Sequence, residues 1–193
     1  MESHISGGGV DEKEVRVANQ RRVGSCESLV RILVVLLTLA AALVQGLSKQ
    51  TKVVPIKVIP SLPAIYLPVT AKWHYLSAFV YLVVANVIAC VYAAFSLVLS
   101  FANRGTKKSS LELLIIVLDL LMVALLFSAI GAAGAIGLMG YQGNSHVQWN
   151  KVCNVFGKYC HQVMASVLLS QLAALAFLFL VVLAVLGLNK RSN

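Results

Sequence analysis

A chain of 193 residues is short enough for one domain, yet it is 59% apolar and only 12% charged, against soluble averages of roughly 45–50% and about 25%. That balance excludes an ordinary soluble enzyme or binding module. A net charge of +9 would suit nucleic acid, but Lys and Arg are scattered through tails and loops without forming a basic face, so no nucleic-acid partner is expected.

Residues 1–27 open on Gly7-Gly8-Gly9, continue through mixed charges from Asp11 to Arg22 and show no amphipathic period. They read as a flexible cytosolic tail. The first apolar segment is too long for a signal peptide and lacks a small-residue cleavage site, so it is expected to remain as an anchor. A spanning helix needs about 20 mostly apolar residues, because hydrocarbon offers no water to satisfy the backbone. Four stretches qualify, at 28–48, 76–102, 111–139 and 163–188, leaving 189–193 as a short cytosolic tail. The expected fold class is an all-α membrane protein, a four-transmembrane-helix bundle over 28–188.

Between the first two spans, Pro55, Pro60, Pro63 and Pro68 remove amide donors and disfavour helix. An extended loop with a short strand is expected there. The tight loop 103–110 ends on Ser109-x-x-Glu112, whose spacing is that of a capping box opening the third helix. The loop 141–161 is polar and aromatic, and Trp149, Phe156 and Tyr159 suit the headgroup level.

Four spans put both termini on one side. The flanks that share that side hold Lys13, Arg16, Arg21, Arg22, Arg104, Lys107, Lys108, Lys190 and Arg191, and outnumber the opposite set of Lys49, Lys52, Lys57, Lys72, Lys151 and Lys158. Cytosolic N- and C-termini follow. Cysteine placement agrees, since Cys153 and Cys160 then share an outside loop, where disulfides persist. These two are expected to close a small ring. A zinc site with His146 and His161 is the alternative, disfavoured because the spacing lacks a short Cys pair.

Arg31 in the first span and Asp119 in the apolar run Leu113–Met139 of the third are the charged side chains of the apolar stretches. Each costs about 2.5–3.5 kcal/mol at a helix centre when alone. By helical rise Arg31 lies some 4–5 Å and Asp119 roughly 13 Å from the cytosolic ends of their helices. The arginine stem spans much of that difference, so an ion pair is expected, bidentate if geometry allows. The alternative has Arg31 snorkelling to lipid phosphate and Asp119 protonated or hydrated. Gly131, Gly134, Gly137 and Gly140 recur every third residue among alanines, which favours helix packing within the chain over a dimer contact. Asn86, Ser96, Ser170 and Gln171 are candidates for interhelical hydrogen bonds. Cys26 is more readily an inert thiol than a palmitoylation site, and Cys90 a packing residue. No phosphate loop, helical His motif or nucleophile with an evident base occurs, so no cofactor, metal or catalytic residue is expected.

Arg31, the run Ser48-Lys49-Gln50-Thr51-Lys52, Asp119 and the stretch Gly143-Asn144-Ser145-His146-Val147-Gln148-Trp149-Asn150-Lys151-Val152-Cys153 together resemble the plant Casparian strip membrane domain protein-like family, of the wider MARVEL-type four-helix group. The likeness spans all four helices and is strongest from Leu118 to His161. It implies a non-enzymatic, multi-pass plasma-membrane scaffold that self-associates, as homodimer or higher homo-oligomer and as hetero-oligomers with family members. In the Casparian strip proteins proper, such platforms locate cell-wall modifying proteins. The resemblance maps paired intramembrane residues onto Arg31 and Asp119, and second-loop cysteines onto Cys153 and Cys160, with Trp149 beside them. The first loop reads Ile59-Pro60-Ser61-Leu62-Pro63-Ala64-Ile65-Tyr66 and lacks the acidic Leu-Pro-Phe-Phe signature of those proteins. A competing function is an oligomeric small channel or transporter, with Arg31, Asp119, Asn86 and Gln171 along a polar path.

Overall fold

The computed structural model describes residues 8–56, 65–102, 109–143, 146 and 151–192. Helix α1 runs Gly8–Gly46, strands β1 (Lys49–Ile56) and β2 (Ile65–Lys72) follow, and a 3-10 turn at Trp73–Tyr75 leads into α2 (Ser77–Ala102). Helices α3 (Ser109–Gln142) and α4 (Gly157–Ser192) complete the chain. All four helices are long and apolar enough to cross a membrane, over Gly24–Gly46, Ser77–Ala102, Ser110–Gln142 and Gly157–Asn189. We call the end where α1 begins and α4 finishes proximal, and the end carrying the strands distal.

Three expectations need correction. The segment read as a flexible tail is helical from Gly8; no proline occurs between residues 10 and 46, so helix nucleated in the apolar span can propagate backwards. Helix α4 begins at Gly157 rather than near residue 163. The amides of Val152 and Cys153 donate to the Gly140 carbonyl at 2.9 and 3.2 Å, and the Phe156 amide donates to Val152 at 2.9 Å. These bonds fold the chain back over the end of α3 and start α4 within the predicted loop. The third correction is one of extent: the first loop is extended as expected, but its described residues form an antiparallel pair of eight-residue strands rather than one short strand, paired from Lys49↔Lys72 to Ile56↔Ile65. Both strands are edges, so Pro55 and Pro68 need donate nothing outward.

Helix ends follow local chemistry. The Ser48 hydroxyl donates to the Gln45 carbonyl at 2.7 Å where α1 stops, satisfying an orphan acceptor of the last turn. Gly143 adopts φ 71° just beyond α3, and its amide donates to Met139 at 2.9 Å, a left-handed cap that glycine makes without Cβ strain.

Helix α1 packs on α2 and α4, and α3 packs on the same two, so α1 and α3 occupy opposite corners. Leucine, valine and phenylalanine line the exterior, as with Leu36, Val91, Leu120 and Leu172. The interior mixes large side chains such as Leu82, Leu126 and Phe177 with rows of small ones: Ala85, Ala89 and Ala93 of α2 recur every fourth position, and Ala129, Ala133, Ala173 and Ala174 of α3 and α4 are likewise fully buried. In lipid, such rows bring backbones close and let dispersion and interhelical hydrogen bonds hold the bundle.

Candidate functional site: a buried charge cluster

Arg31 occupies the core stripe of α1 with Val34, Thr38, Ala41, Gln45 and Ser48, all buried. Its guanidinium reaches across the bundle to the opposite corner. Nη1 donates to Asp119 Oδ1 at 3.3 Å and Nη2 to Asp119 Oδ2 at 3.1 Å, a bidentate pair. Arg31 is 2% and Asp119 0% exposed, so neither side chain reaches lipid phosphate or the bundle surface. Pairing two parallel N–H groups with two oxygens offsets much of the cost of burying both charges.

Other helices complete the cluster. Nη1 also donates to Ser96 Oγ on α2 at 2.8 Å, whose hydroxyl donates in turn to the Ala93 carbonyl at 3.2 Å. One turn before Arg31, Glu27 Oε1 accepts from Nε and Nη2, both at 3.3 Å; its side chain is 41% exposed, linking the buried cation to the proximal surface. The Tyr92 hydroxyl lies 2.8 Å from Asp119 Oδ1 and 3.1 Å from the Ile115 carbonyl, to which its proton can be shared. The Tyr92 ring stacks on Phe177 of α4, with centroids 6.1 Å apart. All four helices therefore converge on one carboxylate and one guanidinium.

A second polar layer lies distal to the first. Asn86 Nδ2 donates to Ser170 Oγ at 2.8 Å and to the Leu82 carbonyl, and the Ser170 hydroxyl lies within bonding distance of Asn86 Oδ1 and Ser166 O. Ser166 donates to the Ala41 carbonyl of α1 at 2.9 Å. Gln171 is half-buried and has no side-chain hydrogen bond among the described residues; it points away from this layer's partners because it sits one position past Ser170 on the helix.

At the distal end Cys153 and Cys160 are joined in a disulfide with Cα atoms 5.6 Å apart. Cys160 stands in the first turn of α4 rather than in the loop. With both sulfurs in that bond, neither is a thiolate for zinc. Among the described residues no three or more His, Cys, Asp or Glu come together to hold a metal. Gln50 Oε1 accepts the Tyr159 amide at 2.9 Å, tying β1 to α4, and Tyr159 meets Phe79 of α2 edge-on. Trp149 lies outside the described residues. Cys26 is an exposed thiol, and Cys90 Sγ approaches the Val35 carbonyl at 3.8 Å.

The glycine expectation is corrected. A Cβ placed on Gly131, Gly134 or Gly137 would meet nothing within 4 Å, so no helix of this chain packs closely on them. A three-residue period drifts around a 3.6-residue helix. The core face of α3 is instead Val123, Leu126, Ala129 and Ala133. Gly140 alone of the series nears a neighbour, with Cys153 Sγ at 4.0 Å from the added Cβ.

Sequence reasoning missed Glu27 and Tyr92. Glu27 carried a usable signal, its four-residue spacing to Arg31. Tyr92 carried none beyond a hydroxyl at matching depth.

Residues 20–176 match the model of the Casparian strip membrane protein domain. The chain belongs to this Casparian strip membrane protein family. It is 57% identical to CASP-like protein 1E1 of Populus trichocarpa over 182 residues, which cover 94% of this chain and 92% of that relative. It is 55% identical to CASP-like protein 1E2 of Vitis vinifera over 193 residues, 99% of this chain and 98% of the other. It is 50% identical to CASP-like protein 1E1 of Arabidopsis thaliana over 188 residues, with 96% and 98% covered. No solved structure matches. The matched domain starts before Arg31 and ends just short of Phe177, so it takes in every member of the charge cluster. This Casparian strip family chain is thus a multi-pass membrane protein whose spans are locked by polar contacts inside the bundle.

Proposed function

We propose that this protein is a non-enzymatic plasma-membrane scaffold, with cytosolic termini, that self-associates and organises membrane domains to which cell-wall modifying proteins are recruited. One observation carries the reading. Ala124, Ser128, Gly131 and Ala135 form a single exposed row on α3 at spacings of four, three and four, and the space over Gly131 is open. A helix of a second copy can approach such a row closely, since small residues in lipid favour backbone contact. The polar side chains that a channel would need face inward and bond one another, and Phe177, Leu82 and Leu126 fill the interior with no exposed surface. The geometry therefore favours association over conduction by a single bundle.

Substituting Gly131→Leu tests this, because a Cβ at that position meets nothing of its own chain within 4 Å. In native membranes, subunit counting by stepwise photobleaching is expected to give dimers or larger clusters for the wild type and mostly single copies for the variant. A wild-type protein that diffuses as single copies would overturn the reading.

A further inference from the structure

The charges of this chain are segregated along the bundle. Its 7 Asp and Glu occupy positions 2, 11, 12, 14, 27, 112 and 119, all outside the segments that join α1 to α2 and α3 to α4. The distal segments carry Lys49, Lys52, Lys57, Lys72, Lys151 and Lys158 and no carboxylate at all. Lys49, Lys52, Lys151 and Lys158 are exposed, and Lys72 is half-buried.

These lysines are gathered by the fold. Lys49 and Lys72 stand opposite one another in the hairpin register, an arrangement of like charges that weakens a strand pair unless an anion lies between them. The Gln50–Tyr159 bond places Lys158 beside the base of β1, on the side opposite Lys49, because neighbouring side chains of a strand point to opposite faces. The Cys153–Cys160 disulfide brings the segment bearing Lys151 to the same first turn of α4. Beside Lys72, its Nζ lies 5.8 Å from the ring centroid of Tyr75, and that tyrosine is 62% exposed. The surface combines spaced ammonium groups with an exposed aromatic ring.

We propose that the distal face, from the hairpin base to the disulfide turn, binds a polysaccharide of uronic acids. A polymer with a carboxylate on every sugar ring supplies repeated anions for Lys49, Lys72, Lys151 and Lys158, and ring C–H faces for Tyr75. Each exposed ion pair is weak alone, but linked carboxylates bind with a high effective concentration after the first contact. The inference rests on the proposed orientation, in which this face lies outside the cell; it does not rest on self-association.

The test uses the full chain in phosphatidylcholine nanodiscs and an oligogalacturonate probe, with binding followed by interferometry. Expected are binding above empty discs, loss of that binding when the probe is fully methyl-esterified, and weakening as salt rises. The double variant Lys49→Gln/Lys72→Gln is expected to weaken binding about tenfold or more, and Lys190→Gln/Arg191→Gln to leave it unchanged. Lys49 is exposed and Lys72 half-buried, and an intact disulfide by non-reducing mass analysis reports folding. Binding no greater than empty discs, equal binding of the ester, or no effect of the hairpin variant overturns the proposal. Equal retention by polyglutamate overturns the choice of a sugar polymer. Labelling of an engineered cysteine at Thr51 (Thr51→Cys) in intact cells by an impermeant maleimide is expected. Failure of that labelling, with binding retained in discs, overturns the orientation and with it this partner, while leaving self-association standing.

Discussion

Arg31 and Asp119 act as a unit, and single substitutions should show it. Removing either partner leaves a buried charge uncompensated, at a cost of about 3–5 kcal/mol. Arg31→Met and Asp119→Leu are each expected to lower the thermal midpoint in detergent sharply. The double variant should recover most of the loss, because two apolar side chains of similar volume leave nothing unpaired. Tyr92→Phe removes one donor from Asp119 Oδ1, which retains Arg31 Nη1. A loss of about 1–3 kcal/mol is expected for that variant, read by the same melt. Asn86→Val should cost less, about 0.6 kcal/mol as the average for an interhelical hydrogen bond in a membrane and about 1.7 at most; equal damage from Asn86→Val and Asp119→Leu would contradict this ranking of the two layers.

Among the elements, the turn from α3 to α4 depends on its disulfide and on the Gly140 carbonyl. The cross-link closes a short loop whose unfolded-state entropy is worth about 2.5 kcal/mol. Cys153→Ser is expected to lower stability by that order, and alkylation of wild-type protein should find two reactive thiols, Cys26 and Cys90, before reduction and four after it. Much of this architecture was legible in the sequence, because lipid leaves few alternatives to a long apolar helix. The spans at 76–102 and 111–139 nearly coincide with α2 and the middle of α3. The boundaries that failed were those set by tertiary contacts. Helix α4 starts early because the Gly140 carbonyl and the disulfide anchor the preceding turn. Hydropathy in that segment is interrupted by Lys158 and His161, so no apolar run announced it. The interior and exterior faces were equally hard to read. Ala89 and Val91 both suit an apolar span, and α2 turns Ala85, Ala89 and Ala93 inward and larger side chains such as Val91 and Phe95 outward. The meeting of Arg31 with Asp119 was legible from charge and depth, whereas their position on opposite corners needed the packing of all four helices.

For the molecule as a whole, the two ends differ in kind. The distal end is cationic and braced, by a hairpin and a disulfide; the proximal end mixes both charge signs and begins in a long helix. Helix α1 has 39 residues, about 58 Å at helical rise, against a hydrocarbon core of about 30 Å. The exterior row on α3 is independent of both ends, so Gly131→Leu should alter clustering while leaving the melt of the bundle within about 0.5 kcal/mol of wild type. A large loss of stability in that variant would show that α3 uses this face within its own chain.

The diagonal placement of Arg31 and Asp119 also bears on how the protein is made. As the chain leaves the ribosome, the pair α1–α2 enters the bilayer with a cation matched only by the part-exposed Glu27, and its buried mate arrives only with α3. Each half of the molecule is therefore an incomplete product bearing a mark of its own incompleteness. Co-expressed fragments divided between residues 102 and 109 should find one another in the membrane and co-purify. Arg31→Met in the first fragment should reduce that recovery, and Arg31→Met with Asp119→Leu should restore it.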